Sequence, residues 1–280
     1  MKTLIAYLLW PTLIVLCCAG TALGIAAGRE LLGFNLGYAF LALSLFALER
    51  VFPFERAWLL DDGQMWPDLL HTLMSKGGVQ LWVFSSAVIG VAGQAPATSW
   101  WPTDWPMWAQ VLLTLVIAEF GLYWAHRLSH EWAPIWRLHA VHHSVTRLWF
   151  WNTGRFHIGN ALTSIAFSAP LLWMLGAPGE CLTWLSAITA FVGMLTHCNV
   201  AMRFGWLNYL FNTPELHRWH HSRVLSEGNR NYGENLMLWD QLFGTYLWPR
   251  DRRPPADIGI SETMPVSFTG QLAFPFRRAR

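Results

Sequence analysis

Long apolar runs separated by short polar stretches constrain this chain more than any other feature. A run of about 20 apolar residues fits the roughly 30 Å hydrocarbon core of a bilayer as an α-helix. Hydrophobic residues make up 54% of the 280 residues and charged residues only 13%, against about 25% charged in an average soluble domain. Six runs are predicted membrane helices: 3–27, 31–48, 77–93, 107–125, 161–175 and 181–195. The sequence therefore predicts an all-α, polytopic integral membrane helical bundle.

The first apolar run also has to be compared with a signal peptide, whose apolar region has roughly 7 to 15 residues. The apolar run 3–27 is longer than that, and Lys2 is the single basic residue before it. We therefore expect a retained membrane helix. Residues 94–106 are rich in proline and tryptophan, which is typical of an interfacial loop. The turn at 176–179 predicts a tight hairpin between the last two runs.

Eight of the eleven histidines fall in three short boxes with the spacings HxxxH, HxxHH and HxxHH. The members of the boxes are His126 and His130, then His139, His142 and His143, and finally His217, His220 and His221. On a helix, residues at i, i+3 and i+4 share one face. A lone histidine is more often a hydrogen-bonded core residue, but three such clusters favour metal binding. Because a closed zinc site uses four ligands, eight imidazoles predict two ions.

The remaining composition excludes several classes of function. A net charge of +2 without a recognition motif argues against nucleic-acid binding. The four cysteines show neither CxxC spacing nor a CxxCH haem-attachment motif, so we interpret them as buried thiols. The chain also lacks the HExxH motif of zinc proteases.

The orientation of the boxes follows from the distribution of positive charge. With a cytoplasmic N-terminus, only Arg29 of the nineteen lysines and arginines lies on the outer side. His126, His130, His157 and His197 then fall at the cytoplasmic ends of apolar runs. The sequence therefore predicts a histidine-rich cap that faces the cytoplasm.

Among the acidic residues near the boxes, three can be interpreted from their positions in the sequence. Glu119 shares a helix face with His126 and His130, and a carboxylate within an apolar run is usually functional. It can orient a box imidazole or make a structural hydrogen bond, and both interpretations stay open. Glu215 can act in the same way or simply begin the box-three helix. We interpret Asp240 as a structural contact.

The sequence around the boxes resembles the membrane fatty acid hydroxylase and sterol desaturase superfamily over about residues 115 to 248. The resemblance rests on four stretches: Tyr123-Trp-Ala-His-Arg, Leu138-His-Ala-Val-His-His-Ser, Pro214-Glu-Leu-His-Arg-Trp-His-His-Ser-Arg and Asn231-Tyr-Gly-Glu-Asn-Leu-Met-Leu-Trp-Asp-Gln-Leu-Phe-Gly-Thr-Tyr. It implies a non-haem di-iron enzyme that uses O2 and two electrons to hydroxylate or desaturate a lipid. The eight box histidines would bind the two iron ions.

The same resemblance implies two further metal ligands, His157 and His197. Related sequences continue after the first of these with proline and an acidic residue, whereas this chain has Ile158-Gly-Asn160. The role of Asn160 is therefore left open. The regions expected from this comparison are N-terminal transmembrane helices with an interfacial loop, a catalytic region with further membrane helices, and a C-terminal tail: 1–106, 107–250 and 251–280.

Activation of O2 requires a metal that changes oxidation state, which favours iron over zinc. The electrons must come from outside, because the sequence shows no dinucleotide-binding motif, cysteine cluster or haem module. We expect a ferredoxin-like, flavoprotein or cytochrome b5-like donor. Four arginines near the boxes can dock this donor or bind lipid headgroups: Arg137, Arg147, Arg218 and Arg223.

Within this reading, we favour hydroxylation of a lipid over desaturation. An ether-lipid monooxygenase of the alkylglycerol type is the alternative enzyme, since ether cleavage can begin with the same hydroxylation. A metal-binding membrane protein without turnover is the alternative from another class. A transporter would distribute polar ligands along its membrane helices, whereas these histidines gather at one face.

Overall fold

The computed structural model describes residues 2–79 and 100–277, and these residues form helices joined by loops, with only isolated β-bridges between them. The α-helices are α1 (Lys2–Ala26), α2 (Glu30–Val51), α3 (Met65–Leu70), α4 (Met107–Glu131), α5 (Ala133–His143), α6 (Ile158–Leu175), α7 (Gly179–Thr196), α8 (Pro214–His220), α9 (Leu225–Gly228), α10 (Leu238–Leu242) and α11 (Phe268–Ala273). A π-helical turn, His71–Lys76, follows α3. The predicted all-α class is confirmed.

Five helices are long and apolar enough to cross a membrane: Thr3–Ala26, Glu30–Val51, Met107–Glu131, Ile158–Leu175 and Gly179–Thr196. They confirm five of the six predicted membrane helices. The other predicted helix, 77–93, lies outside the described residues beyond Val79. Helix α4 is longer than expected, because it continues past Ala125 through the first histidine box.

Helices α1 and α2 form a hairpin whose backbones approach closely near the connecting turn. A Cβ atom added to Gly24 would lie 2.7 Å from the Cα atom of Gly33, so only glycine fits there. Farther along the hairpin, Trp10 and Leu41 are buried together with Phe191 of α7. The hairpin therefore packs on the helix that leads to His197.

Helices α4 and α6 also approach closely, at Gly121. A Cβ atom at this position would collide with the carbonyl oxygen of Phe167. The contact lies five residues before His126 on the same helix. It therefore fixes α6 against the part of α4 that carries the first box.

The described part of the predicted interfacial loop divides its tryptophans between surface and core. Trp100 is 81% exposed and Trp105 is 50% exposed, whereas Trp101 is only 5% exposed. The Trp101 indole N–H donates to the side-chain oxygen of Gln110, at 2.9 Å. Trp101 is thus a core residue. The cysteines are all free, and they are buried except for Cys18, which is partly buried.

The C-terminal segment returns to the body of the molecule instead of extending from it. Gln271 on α11 is fully buried, and its side-chain oxygen lies 3.0 Å from Nε2 of His71. Its amide group donates to the side-chain oxygen of Gln64, also at 3.0 Å. Beside these contacts, Arg155 forms a buried ion pair with Asp68, at 2.8 Å. The C-terminal segment is therefore part of the packed structure.

Candidate metal centre

Nine histidines from distant parts of the chain meet at one end of the long helices. They form a five-histidine group, made of His126, His130, His139, His143 and His220, and a four-histidine group, made of His142, His197, His217 and His221. Within each group the nearest ring nitrogens lie within 4.8 Å of one another. The rings of His143 and His221 stack across the groups with centroids 4.4 Å apart. The chain thus forms two adjacent groups of histidines that could each hold a metal ion.

The HxxHH spacing explains how two helices serve both groups. In the second box, His139 and His143 point into the five-histidine group, and His142 points into the other. Successive residues of a helix are rotated by about 100°, whereas residues at i and i+4 nearly align. A neighbouring histidine therefore faces the adjacent site.

The third box repeats this arrangement with the groups exchanged. His217 and His221 join the four-histidine group, while His220 joins the five-histidine group. Each HxxHH box therefore contributes two histidines to one group and a single histidine to the other.

Hydrogen bonds to Nδ1 orient several of the rings. The backbone oxygens of Tyr232 and Arg230 lie 2.8 Å and 2.7 Å from Nδ1 of His126 and His220. A carbonyl oxygen only accepts, so in both rings Nδ1 carries the proton and Nε2 keeps its lone pair. Both Nε2 atoms are buried, and neither has a hydrogen-bond partner among the residues that the structure describes.

Asparagine side chains orient three more rings. The Oδ1 atoms of Asn160 and Asn152 lie 2.8 Å from Nδ1 of His139 and His197, and Asn229 serves His130 at 3.1 Å. These contacts give Asn160 a role that the sequence comparison left open. Sequence reasoning missed Asn152 and Asn229, which lie 45 and 99 residues from the rings they contact.

The buried ring nitrogens without partners test whether the groups fit metal ions. Buried nitrogens of this kind are rare and costly in a folded protein, and a cation would satisfy them. Within residues 2–79 and 100–277, seven imidazoles have such an atom: His126, His139, His142, His197, His217, His220 and His221. The donor set fits metal binding.

Burial keeps the imidazoles outside the membrane helices neutral. Burial, together with the charge of Lys76, lowers the pKa of His197 to about 3. Burial, followed by repulsion from neighbouring rings, also holds the pKa well below its usual range in five other imidazoles: His142, His143, His217, His220 and His221. Neutral imidazole is the form that binds metal ions.

His157 lies outside both groups. Its Nδ1 accepts a hydrogen bond from the backbone N–H of Gly159 at 3.0 Å, which caps α6. Its Nε2 lies 3.2 Å from the backbone oxygen of Leu272. Both nitrogens are therefore occupied by the protein itself. His71, the remaining histidine, also lies away from the groups, on the turn bound by Gln271.

Glu119 and Asp240 accept hydrogen bonds from the backbone of the loop that contains residues 232–235. The carboxylate of Glu119 accepts hydrogen bonds from the backbone N–H groups of Glu234 and Asn235, at 2.5 Å and 3.0 Å. Asp240 accepts from the N–H of Tyr232, at 2.8 Å. Both residues thus hold the loop whose Tyr232 carbonyl faces His126. Glu215 instead accepts from Asn208 and Trp248, each at 3.0 Å.

Two of the four arginines expected to dock a donor or bind lipid headgroups are too buried for either role. Arg147 and Arg218 are only 6% and 1% exposed. Arg147 pairs with Asp62 at 2.9 Å, and Arg218 donates to the Cys198 carbonyl at 2.8 Å. The prediction was wrong for these two residues, because their side chains are used inside the fold. Arg137 and Arg223 are less buried.

The chain was compared with known proteins. The model of the fatty acid hydroxylase family matches residues 111–245. An ornithine lipid hydroxylase, OlsE, of Rhizobium tropici is 49% identical over 283 residues, covering 98% of this chain and 85% of the relative. No solved structure matches.

More distant relatives match only about half of this chain. The alkylglycerol monooxygenase of Xenopus tropicalis is 28% identical and covers 54% of this chain and 33% of its own length. Methylsterol monooxygenase 2-2 of Arabidopsis thaliana is 25% identical and covers 56% of this chain and 58% of its own length.

Proposed function

The chain belongs to the fatty acid hydroxylase family and is a lipid-oxidising membrane enzyme, and from this premise we propose that it hydroxylates an ornithine lipid or a closely related amino-acid lipid. The 49% identity to an ornithine lipid hydroxylase over 98% of the chain carries this proposal. The alkylglycerol monooxygenases are similar over about half of the chain, at lower identity. An ether lipid is therefore the less supported substrate.

We propose that each histidine group holds one iron ion. Nine ligands would come from four parts of the chain: α4, α5, the end of α7 and the third box. His157 is left out, since its two nitrogens already bind the backbone. Bound iron would supply redox chemistry with O2, which imidazole-bound zinc does not offer.

The protein's own residues would hold the ligands in place before metal binds. Hydrogen bonds at Nδ1 fix the proton on the outward nitrogen of His126 and His220 and aim Nε2 into the site. Burial excludes water from the rings and keeps them neutral. Neither the orientation of the rings nor their neutral state requires proton transfer to or from another described side chain beside the imidazoles.

Hydroxylation places one oxygen atom of O2 in the lipid and releases the other as water, so two electrons and two protons must be supplied. We propose that a ferredoxin-like, flavoprotein or cytochrome b5-like partner delivers the electrons. Arg137 and Arg223 remain as candidate docking residues. The single basic residue in the α1–α2 turn, Arg29, supports placing the histidine groups at the cytoplasmic face.

Metal analysis of histidine variants tests the site. His142→Ala and His220→Ala should each lower the iron content of the purified protein and abolish turnover, because each substitution removes a proposed ligand from one group. His71→Ala is the control, since His71 is buried but lies outside both groups. Its iron content per folded chain should not change. Full iron content after loss of both His142 and His220 contradicts the assignment.

Product analysis tests the substrate. Membranes containing the enzyme and its reductant should add one oxygen atom to an ornithine lipid, measured by mass spectrometry. An alkylglycerol offered under the same conditions should remain intact. Cleavage of the ether in place of hydroxylation of the amino-acid lipid would favour the alternative activity. Loss of two hydrogens from the lipid would indicate desaturation.

A further inference from the structure

A cavity of about 40 Å³ opens beside both histidine groups. Imidazoles of His126 and His142 line it together with Ser164 of α6 and Thr189 of α7. Two residues of opposite charge, Lys76 and Glu234, also line this cavity. The proposed metal site does not use either of them.

Lys76 ends the π-helical turn and is half-buried. Its ammonium group lies 5.0 Å from the centroid of the Phe156 ring. Among residues 2–79 and 100–277, it has no hydrogen-bond or ion-pair partner. Desolvation lowers its pKa, and the charge of Glu234 partly opposes this effect. No described residue therefore gives this cation a direct counter-charge in the cavity.

Glu234 is half-buried and belongs to the loop that Glu119 and Asp240 hold in place. Desolvation raises the pKa of its carboxyl group, whereas the charge of Lys76 and the Ser164 side chain lower it. Its backbone N–H donates to the carboxylate of Glu119, which holds the loop against α4. Glu234 thus brings a second charge to the cavity from a segment far from Lys76 in the sequence.

The two charges influence each other but do not form a direct ion pair. Desolvated charges are costly unless they gain partners of opposite charge. A ligand that carries one carboxylate and one ammonium group would supply both partners. The ammonium of lysine donates up to three charge-assisted hydrogen bonds, which suits a carboxylate.

On the premise of the proposed function, we propose that Lys76 binds the carboxylate and Glu234 binds the side-chain ammonium of the amino-acid headgroup. An ornithine acylated on its α-nitrogen keeps both charges, whereas an alkylglycerol or sterol headgroup has neither. A neutral headgroup would leave both protein charges desolvated and unpaired. The pair therefore selects an amino-acid lipid over neutral lipids.

Binding measurements with three lipids test this pair. The purified full-length protein in nanodiscs is titrated with ornithine lipid, with its carboxyl methyl ester and with its side-chain N-acetyl derivative. Wild type should bind each modified lipid roughly 30-fold or more weaker, as expected when one partner of a buried charge pair is lost. This arm needs no substitution, so it does not depend on the folding of a variant.

The substitutions assign each charge to its partner. Lys76→Met should weaken binding of the unmodified lipid to the same extent. The Lys76→Met protein should bind the ester no more weakly than it binds the unmodified lipid. Lys76→Arg should restore most of the preference for the unmodified lipid over the ester. Glu234→Gln should behave in the same way toward the N-acetyl lipid. Glu180→Gln is the matched control, because Glu180 is exposed at the start of α7 and does not line the cavity.

Equal affinity of wild type for the three lipids would overturn the assignment. So would a Lys76→Met variant that still discriminates against the ester. Hydroxylation is measured in parallel on the unmodified lipid. If the protein hydroxylates the lipid but binds all three lipids equally, only the proposed role of Lys76 and Glu234 is contradicted. If binding depends on the two charges but no hydroxylated product forms, the proposed function is contradicted and the role of the pair in binding stands.

Discussion

At the scale of single residues, side chains beside the imidazoles determine how each ring points. Asn152, Asn160 and Asn229 each accept a contact from the outward nitrogen of a different ring. The sequence identified the box histidines by their spacing, which reports on neighbours along a helix. It could not identify these asparagines, because their contacts join segments far apart in the chain.

Asn160 provides a test at this scale. Asn160→Ala removes the acceptor at Nδ1 of His139, so we expect metal affinity or activity to fall by roughly 10- to 100-fold. Asn160→Asp keeps an oxygen acceptor and should retain most of the affinity. Competition with a chelator, followed by metal analysis, measures the difference. Equal metal retention by the alanine and aspartate variants would show that the contact does not orient the ring.

At the scale of helices, membrane helices could be predicted more completely than the site they support. Apolar length alone identified five described membrane helices. Which group receives the pair of histidines from each HxxHH box depends on how α5 and α8 are rotated against each other. Long-range packing sets that rotation, so the spacing left it undetermined.

The contact between α4 and α6 gives a prediction for these helices. Gly121→Ala should destabilise the fold by about 1–3 kcal/mol, since the added methyl group overpacks the backbone at Phe167. Gly179→Ala is a matched control, because a Cβ atom there meets nothing within 4 Å. Thermal unfolding in detergent compares the two variants. An unchanged midpoint for Gly121→Ala would show that the helices can separate without cost.

At the scale of the whole molecule, the C-terminal segment packs against the segment that contains Gln64 and His71. Pattern reasoning described residues 251–280 as a tail, because they contain proline and arginine and no apolar run. The structure buries Gln271 between His71 and Gln64 instead. A single glutamine in a polar segment carries no sequence signal for such a contact.

The contact at His71 makes stability depend on pH. Burial, reinforced by the charge of Arg155, lowers the pKa of His71 to about 4, against about 6.5 in an unfolded chain. Between these values only the unfolded state binds the proton, so the free energy of unfolding falls as pH falls. The expected slope is at most about 1.4 kcal/mol per pH unit.

Unfolding of wild type and His71→Asn between pH 7 and pH 4 isolates this contribution. The variant lacks the titrating ring, so its stability should decline less steeply over the same interval. Other histidines contribute equally to both proteins and cancel in the difference. Parallel curves for the two proteins would show that the His71 ring does not resist protonation in the fold.

The interlaced boxes also constrain biosynthesis. Both histidine groups need ligands from the third box, which ends at His221. A nascent chain that has not yet released this segment from the ribosome would offer neither group its complete set of histidines. On the proposed assignment, iron insertion would therefore follow translation of almost four-fifths of the 280 residues.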